Sequence, residues 1–163
     1  MKNLFRYNWQ VRGEWFEWCE QLPEEALLKE RAGGVGGILK TLFHIADVEY
    51  SWIMLLQDKP EFDGRFEDYA SLEQVKELSG AFHTEVKSFL MNWEPEMGGK
   101  ILTVSGRNGE LEQFTYEEVL LHTIAHEIHH AGQLSVWSRE LGLEPVNANL
   151  INRGLYPKSG LRI

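Results

Sequence analysis

Residues 115–141 read TYEEVLLHTIAHEIHHAGQLSVWSREL and contain four of the six histidines of the chain. The first four letters, Thr115 to Glu118, have the form of a capping box. In this motif the Thr hydroxyl accepts a hydrogen bond from the backbone N–H three residues later, and the Glu side chain returns one. Gly142 follows the stretch and is a typical residue just after a helix C-terminus. The stretch therefore predicts one long helix that extends to Leu141.

Three histidines share one face of this predicted helix. At about 100° per residue, His126 and His130 lie about 40° apart, and His122 lies about 40° on the other side of His126. His129 lies at the edge of the face. The same face carries apolar residues, namely Val119, Trp137 and Leu141. We therefore expect it to point into the protein.

Two imidazoles at positions i and i+4 can bind one divalent ion, because side chains with this spacing stand one above the other. Neutral core histidines held by hydrogen bonds are the alternative. Three histidines in one stripe would, however, bury several ring nitrogens that need partners. The spacing therefore favours a divalent metal cation as cofactor, with His126 and His130 among its ligands.

Apolar residues with helical spacing predict three further long helices. They run from about Lys2 to Gln21, from about Val35 to Gln57, and from Ser71 to about Trp93, and a short helical turn covers residues 24–31. The glycine-rich run at 32–37 breaks the chain before the second long helix. Ser71 and Gln74 have the spacing of a second capping box.

The segment after the third long helix has a different pattern. Residues 101–105 and 110–114 flank a turn at 106–109, which predicts a small β-hairpin that packs on the helices. The predicted fold is an all-α four-helix bundle with this hairpin between helices 3 and 4, and residues 1–163 form a single domain. The tail from 143 to 163 is predicted to be irregular.

A third metal ligand is expected from a helix that faces the last one. His44 is the only histidine in the second long helix, and it borders the apolar arc of that helix beside Val48 and Trp52. An exposed histidine at the edge of the arc is the alternative. His83 in the third long helix is a weaker candidate, because it does not share the apolar face of that helix.

Two carboxylates and one more imidazole are candidate acid–base groups. Glu49 falls in the middle of the apolar arc of the second helix, where an unpaired carboxylate would be costly. It could accept a hydrogen bond from a ligating imidazole, or pair with Arg6, Arg12 or a backbone group. Both interpretations stay open. Glu127 and His122, which lie beside the histidine pair, complete the set of candidate catalytic residues.

The composition excludes some classes of binding partner and indicates the cellular compartment. The 163 residues include 25 acidic and 16 basic side chains, a formal net charge of −9, which argues against binding nucleic acid or an anionic membrane surface. One cysteine allows no internal disulfide, and no apolar stretch approaches the length of a membrane span. The N-terminal residues lack the apolar core of a signal peptide. We therefore expect a cytoplasmic protein with Cys19 in its core.

Two segments resemble the DinB/YfiT-like superfamily. They are LFHIADVEYSW at 42–52 and HEIHHAGQL at 126–134, and the resemblance covers nearly the whole chain. It implies a four-helix bundle that holds a divalent metal, often zinc or nickel, through three histidines, which correspond here to His44, His126 and His130. Members of the superfamily include DNA-damage-inducible proteins of unknown activity, low-molecular-weight-thiol S-transferases and thiol-dependent isomerases. Many relatives carry Arg where this chain has Ala131, which weakens transfer of the thiol-transferase activity.

Three functions fit these residues. The favoured one is a metal-dependent enzyme that acts on a small molecule by thiol transfer or hydrolysis, with a low-molecular-weight thiol as partner. The alternative is a non-enzymatic, stress-induced binding module stabilised by metal. A zinc protease of the H-E-x-x-H type, with Glu127 as general base, is disfavoured because Glu127 projects about 100° away from His126 and the chain lacks a convincing sheet.

The back of the last helix is also apolar. It carries Leu120, Leu121, Ile124, Ile128 and Val136. This pattern is consistent with deep burial or with a dimer interface, so we expect a homodimer.

Overall fold

The computed structural model describes residues 1–106 and 108–156, and this part of the chain folds into five α-helices and one hairpin. The helices are α1 (Lys2–Cys19), α2 (Glu24–Leu28), α3 (Ile38–Leu55), α4 (Leu72–Met91) and α5 (Tyr116–Glu140), and the strands are β1 (Ile101–Ser105) and β2 (Leu111–Thr115). Short 3₁₀ segments lie at Phe66–Tyr69 and Pro95–Gly99. The predicted fold is confirmed, with α1, α3, α4 and α5 as the long helices of the bundle.

The two predicted capping boxes have different outcomes. At α5 the box is complete, since the Thr115 hydroxyl accepts from the Glu118 backbone N–H and the Glu118 carboxylate accepts from the Thr115 N–H at 2.8 Å. At α4 the Ser71 hydroxyl accepts from the Gln74 N–H, but it also donates to the Gln74 side chain. Only half of that box forms, because the Gln74 side chain does not accept a hydrogen bond from the Ser71 backbone N–H.

Helix α3 begins at Ile38, three residues later than predicted. Gly36 has a φ of 97°, a left-handed conformation that favours glycine and is incompatible with continuing a right-handed helix. The carbonyl of Gly36 instead accepts from the Arg31 N–H at 2.8 Å. The glycine-rich segment is therefore a closed turn before α3.

The hairpin lies where the sequence predicts it, with a shift of one residue in the second strand. Ile101 pairs with Thr115 and Ser105 pairs with Leu111 in an antiparallel register. The predicted turn includes Arg107, which lies outside the described residues, as does the part of the predicted irregular tail at 157–163. Glu110 belongs to the turn, since its carbonyl accepts from the Gly106 N–H.

The core runs along the inside of the four long helices. Cys19 is fully buried there, as predicted, and burial raises the pKa of its thiol to about 12. Such a thiol is inert at neutral pH. Of the helices in the described ranges, none is long and apolar enough to cross a membrane.

Helix α5 lies between α3 and α1. Its His126 ring meets His44 of α3, while the adjacent Glu127 is hydrogen-bonded to Arg12 of α1. Helix α5 therefore contributes residues to two polar clusters, one that contains His126 and one that contains Glu127.

Candidate metal centre

The structure brings together the three histidines that the sequence predicts. The Nε2 atom of His126 lies 3.0 Å from that of His44 and 3.1 Å from that of His130. One ring nitrogen from each residue lies within 4.8 Å of the others. His44 and His126 are half-buried, and His130 is 6% exposed. The cluster thus lies at the α3–α5 seam, partly open to solvent.

Three converging imidazole nitrogens fit one divalent ion. Zn–N bonds of about 2.0–2.1 Å at tetrahedral angles separate neighbouring ligand nitrogens by about 3.3 Å. The Nε2–Nε2 distances from His126 to His44 and from His126 to His130 are within a few tenths of an ångström of this value. These residues could therefore hold a metal ion.

All three imidazoles are poised in the form that binds a metal. Burial, followed by the charges of His130 and other neighbouring histidines, lowers the pKa of His126 to about 3. Burial and the proximity of His130 lower the pKa of His44 to about 4. The pKa of His130 is lowered by burial as well, although its hydrogen bond to Gln133 opposes this shift. At neutral pH each ring is neutral and has a lone pair to donate.

Gln133 orients the third ring. Its Oε1 accepts from Nδ1 of His130 at 2.7 Å, and its side-chain nitrogen donates to Nε2 of His129 at 2.9 Å. With the proton on Nδ1, the lone pair of His130 lies on Nε2 and points at the other two rings. This role of Gln133 was not predicted from the sequence. The sequence feature that could have indicated it is the helical spacing. Gln133 lies three residues after His130 and four after His129, so it shares their side of the helix.

The glycine-rich segment before α3 lies against Gln133. A Cβ atom at Gly34 would overlap Oε1 of Gln133 and approach the Trp137 ring to 3.3 Å. Gly34 also has a positive φ of 55°. A residue without a side chain is therefore required where this segment covers the hydrogen bond between Gln133 and His130.

Glu127 and Glu49, two of the predicted acid–base groups, lie in a second polar cluster. Both oxygens of Glu127 accept from Arg12, at 2.8 and 2.6 Å, and Glu49 lies 3.0 Å from the same guanidinium. The second oxygen of Glu49 accepts from the Trp9 indole N–H at 3.0 Å. Glu49 therefore pairs with Arg12, which was one of its predicted partners. It also accepts a hydrogen bond from the Trp9 indole, a donor that was not predicted.

Burial and ion pairing have opposite effects on the pKa values of Arg12 and Glu127. Arg12, Glu49 and Glu127 are each less than 5% exposed. Burial raises the pKa of the Glu127 carboxyl, and Arg12 counteracts this. Burial by itself would lower the pKa of Arg12, but Glu127 and Glu49 raise it overall. The guanidinium is charged and binds both carboxylates, which belong to α3 and α5.

The remaining histidines lie outside the convergent set. His122 is exposed, with its ring centroid 5.8 Å from His126 and 5.9 Å from Trp52. His129 is exposed and bonded to Gln133. His83 of α4 packs edge-on against Trp9 at 4.3 Å. His122 and His129 are therefore exposed rings next to the cluster, whereas His83 is not in contact with it.

Comparisons with known proteins agree on the fold and the family. A family model described as the DinB family matches residues 1–154. YizA, an uncharacterized protein of Bacillus subtilis (strain 168), is 52% identical over 157 residues, which are 96% of this chain and 98% of that protein.

Two crystal structures show the same fold. A DinB-like protein from Bacillus subtilis is 15% identical with a TM-score of 0.62, and the match covers 90% of this chain and 96% of that one. A DinB-like protein from Bacillus cereus ATCC 10987 is 24% identical with a TM-score of 0.58, covering 85% and 91% of the two chains. At these identities the likeness concerns the fold alone.

Proposed function

Since this chain belongs to the DinB family, we propose that it binds one divalent ion, Zn²⁺ or Ni²⁺, and uses it to act on a small molecule. His44, His126 and His130 are the proposed ligands. The observation that carries the proposal is the convergence of three neutral imidazoles, with Nε2 atoms 3.0 and 3.1 Å apart, at the seam between α3 and α5.

An enzymatic role is supported by the number of ligands and by partial exposure. Three protein ligands leave one coordination position open, which is typical of catalytic zinc sites, whereas structural sites are closed by four. An ion held by these three residues would supply Lewis-acid chemistry to a water or thiol. Thiol transfer with a low-molecular-weight thiol and hydrolysis are the two reactions that we propose to test.

His122 is the proposed proton-handling group. It is exposed beside His126 and next to the Trp52 ring, where a bound substrate could reach it. Glu49 and Glu127 are both engaged by Arg12, so we assign them a positioning role that acts through α3 and α5. The engagement of both Glu127 oxygens also argues against a protease that uses this residue as a general base.

Metal analysis tests the proposal directly. Protein purified without a chelating resin should contain about one divalent ion per chain, and His126→Ala should contain almost none. His83→Ala is the matched control, because His83 is a partly buried histidine outside the cluster. Equal metal in the wild type and in His126→Ala would overturn the proposal.

Activity separates the enzyme from the alternative function. The metal-loaded protein is tested against a panel of electrophiles with low-molecular-weight thiols, and against ester and amide substrates. Turnover that is lost in His44→Ala supports the enzyme. A rise in thermal stability on metal binding without any turnover would instead favour a metal-stabilised binding module, stress-induced as the family resemblance suggests.

We also propose that the protein forms a homodimer through the exposed face of α5. Leu121, Ile128 and Val136 are 47%, 43% and 56% exposed along this face. Ala125 and Gly132 lie between them and are small enough to let a second helix approach closely. Sedimentation should give a dimer that Ile128→Glu converts to a monomer, whereas Leu111→Glu on the hairpin should have no effect. A wild-type monomer would contradict the proposal.

A further inference from the structure

A groove runs along the seam between α1 and α4, the two long helices that contribute no histidine to the cluster. The helices are antiparallel there: the Lys2 ammonium donates to the Met91 carbonyl, and the Trp9 ring packs on His83. Two cavities, of about 520 and 280 Å³, lie along the seam, and both are lined by Trp9 and His83. The packed pair of rings therefore lies between the two cavities and is part of the lining of each.

The wider cavity is cationic. Of the described residues that line it, Lys2, Arg6 and Lys87 are cationic and none carries a carboxylate. Within the described residues, neither Arg6 nor Lys87 has a carboxylate oxygen within 4.0 Å. Such a grouping is unfavourable by itself and attracts an anion, and it stands out in a chain whose net charge is −9.

The floor of the wider cavity is apolar. Trp9, Leu90 and Met91 line it, and Met91 is 72% exposed. The indole N–H of Trp9 is already bonded to Glu49, so the ring offers its apolar surface to the groove. Cations above an apolar floor match a ligand with an anionic head and an apolar body.

The narrower cavity is lined by a glycine from each helix, Gly13 of α1 and Gly80 of α4. A glycine inside a helix is less stable than alanine by about 1 kcal/mol. A Cβ atom at either position would meet nothing within 4 Å, so packing does not require these glycines. Both glycines are exposed, and the absence of side chains leaves open space along the groove beyond Trp9 and His83. Its cations, Arg12 and Lys76, are already paired with carboxylates, unlike Arg6 and Lys87 in the described part of the chain, so an anionic head is attracted to the other end.

We propose that this groove binds an amphipathic anion, a carboxylate or phosphate with an unbranched apolar chain. The head lies at Arg6 and Lys87, and the chain passes Trp9 and His83 toward Gly13 and Gly80. The larger cavity, of about 520 Å³, is in the range of ordinary small-molecule sites. The groove shares no residue with the histidine cluster, so binding does not require the metal.

Calorimetric titration of the protein as purified tests the head group. Decanoate and decyl phosphate should bind, and the stronger of the two identifies the head, whereas decanol and decyltrimethylammonium should bind at least about tenfold more weakly. Arg6→Gln with Lys87→Gln should weaken binding of the anions about tenfold or more. Lys40→Gln on α3 is the matched control and should leave binding unchanged. Equal binding to the double variant and the wild type would overturn the proposal.

The length of the ligand's apolar chain tests whether the chain reaches the cavity at Gly13 and Gly80. Gly80→Leu adds a side chain at the narrow cavity and should weaken decanoate about tenfold relative to hexanoate, since buried CH₂ groups carry about 0.8 kcal/mol each. An equal effect on both acids would contradict the proposed orientation. His44→Ala should bind decanoate as the wild type does, so loss of the metal site and loss of the groove are distinguishable.

Discussion

Two adjacent residues of α5, His126 and Glu127, belong to two different polar clusters. Glu127 enters a closed cluster in which Arg12 binds carboxylates of two helices at 2.6–3.0 Å, and every member is less than 5% exposed. His126 enters an open cluster in which three neutral rings direct nitrogens at one another. Buried charges that pair with one another stabilise the contact between helices. Lone pairs that converge without a cation create a site for one.

The largest effect is expected when the closed cluster loses its cation. Arg12→Met leaves two buried carboxylates without a partner, which should lower the free energy of unfolding by about 3–5 kcal/mol. Urea denaturation measures the change. Arg6→Met, an exposed arginine of the same helix, is the control and should leave the stability near that of the wild type.

A companion variant separates charge from packing. Arg12→Met combined with Glu49→Gln and Glu127→Gln removes the unpaired charges and should recover part of the lost stability. If the triple variant were no more stable than Arg12→Met, the loss would come from packing of the arginine, and the contrast between the two clusters would fail.

The open cluster should respond in the opposite way. His126→Ala removes no buried ion pair, so it should change the stability of the metal-free protein far less than Arg12→Met does. With Zn²⁺ at one hundred times its dissociation constant, the wild type gains about 2.7 kcal/mol, and His126→Ala should gain almost nothing. Thermal unfolding with and without Zn²⁺ measures both values. A zinc-dependent gain in the variant would exclude His126 as a ligand.

The sequence predicted the histidine cluster because its information is local. His126 and His130 are one helical turn apart, and the second long helix contains only His44. Once the fold is an antiparallel bundle, few arrangements bring these residues anywhere but together. The same periodic signal predicted the long helices, and their ends were misplaced by a few residues where backbone conformation decides, as at Gly36.

The closed cluster could be predicted only in part, because its contacts are long-range. Glu49 was recognised as a carboxylate that needs a partner, with Arg12 among the alternatives. Glu127 was interpreted as an acid–base group, since helical projection shows where a residue points but does not identify its neighbour. Arg12 and Glu127 are 115 residues apart in sequence. The groove between α1 and α4 was not predicted either, because its cations come from two separate helices.

Gly34 offers a sharper test of the open cluster. Gly34→Ala should displace Gln133 from His130 and weaken metal binding about 10- to 100-fold, the usual effect of losing a group that orients a ligand. Gly33→Ala is the matched control. Gly33 also has a positive φ, but a Cβ there would meet nothing within 4 Å. Competition with a chromophoric zinc chelator measures both affinities, and equal weakening would implicate the backbone instead of Gln133.

The smallest effect is expected at an exposed ion pair with nearly the same geometry as the closed cluster. Lys76 and Glu20 are 2.7 Å apart, against 2.6 Å for Arg12 and Glu127, but their side chains are 50% and 56% exposed. Water solvates these charges in the folded and unfolded states alike, so Lys76→Gln should leave the urea midpoint indistinguishable from the wild type. A shift comparable to that of Arg12→Met would mean that distance, not burial, decides the strength of such pairs. The difference between the clusters would then have to be explained without desolvation.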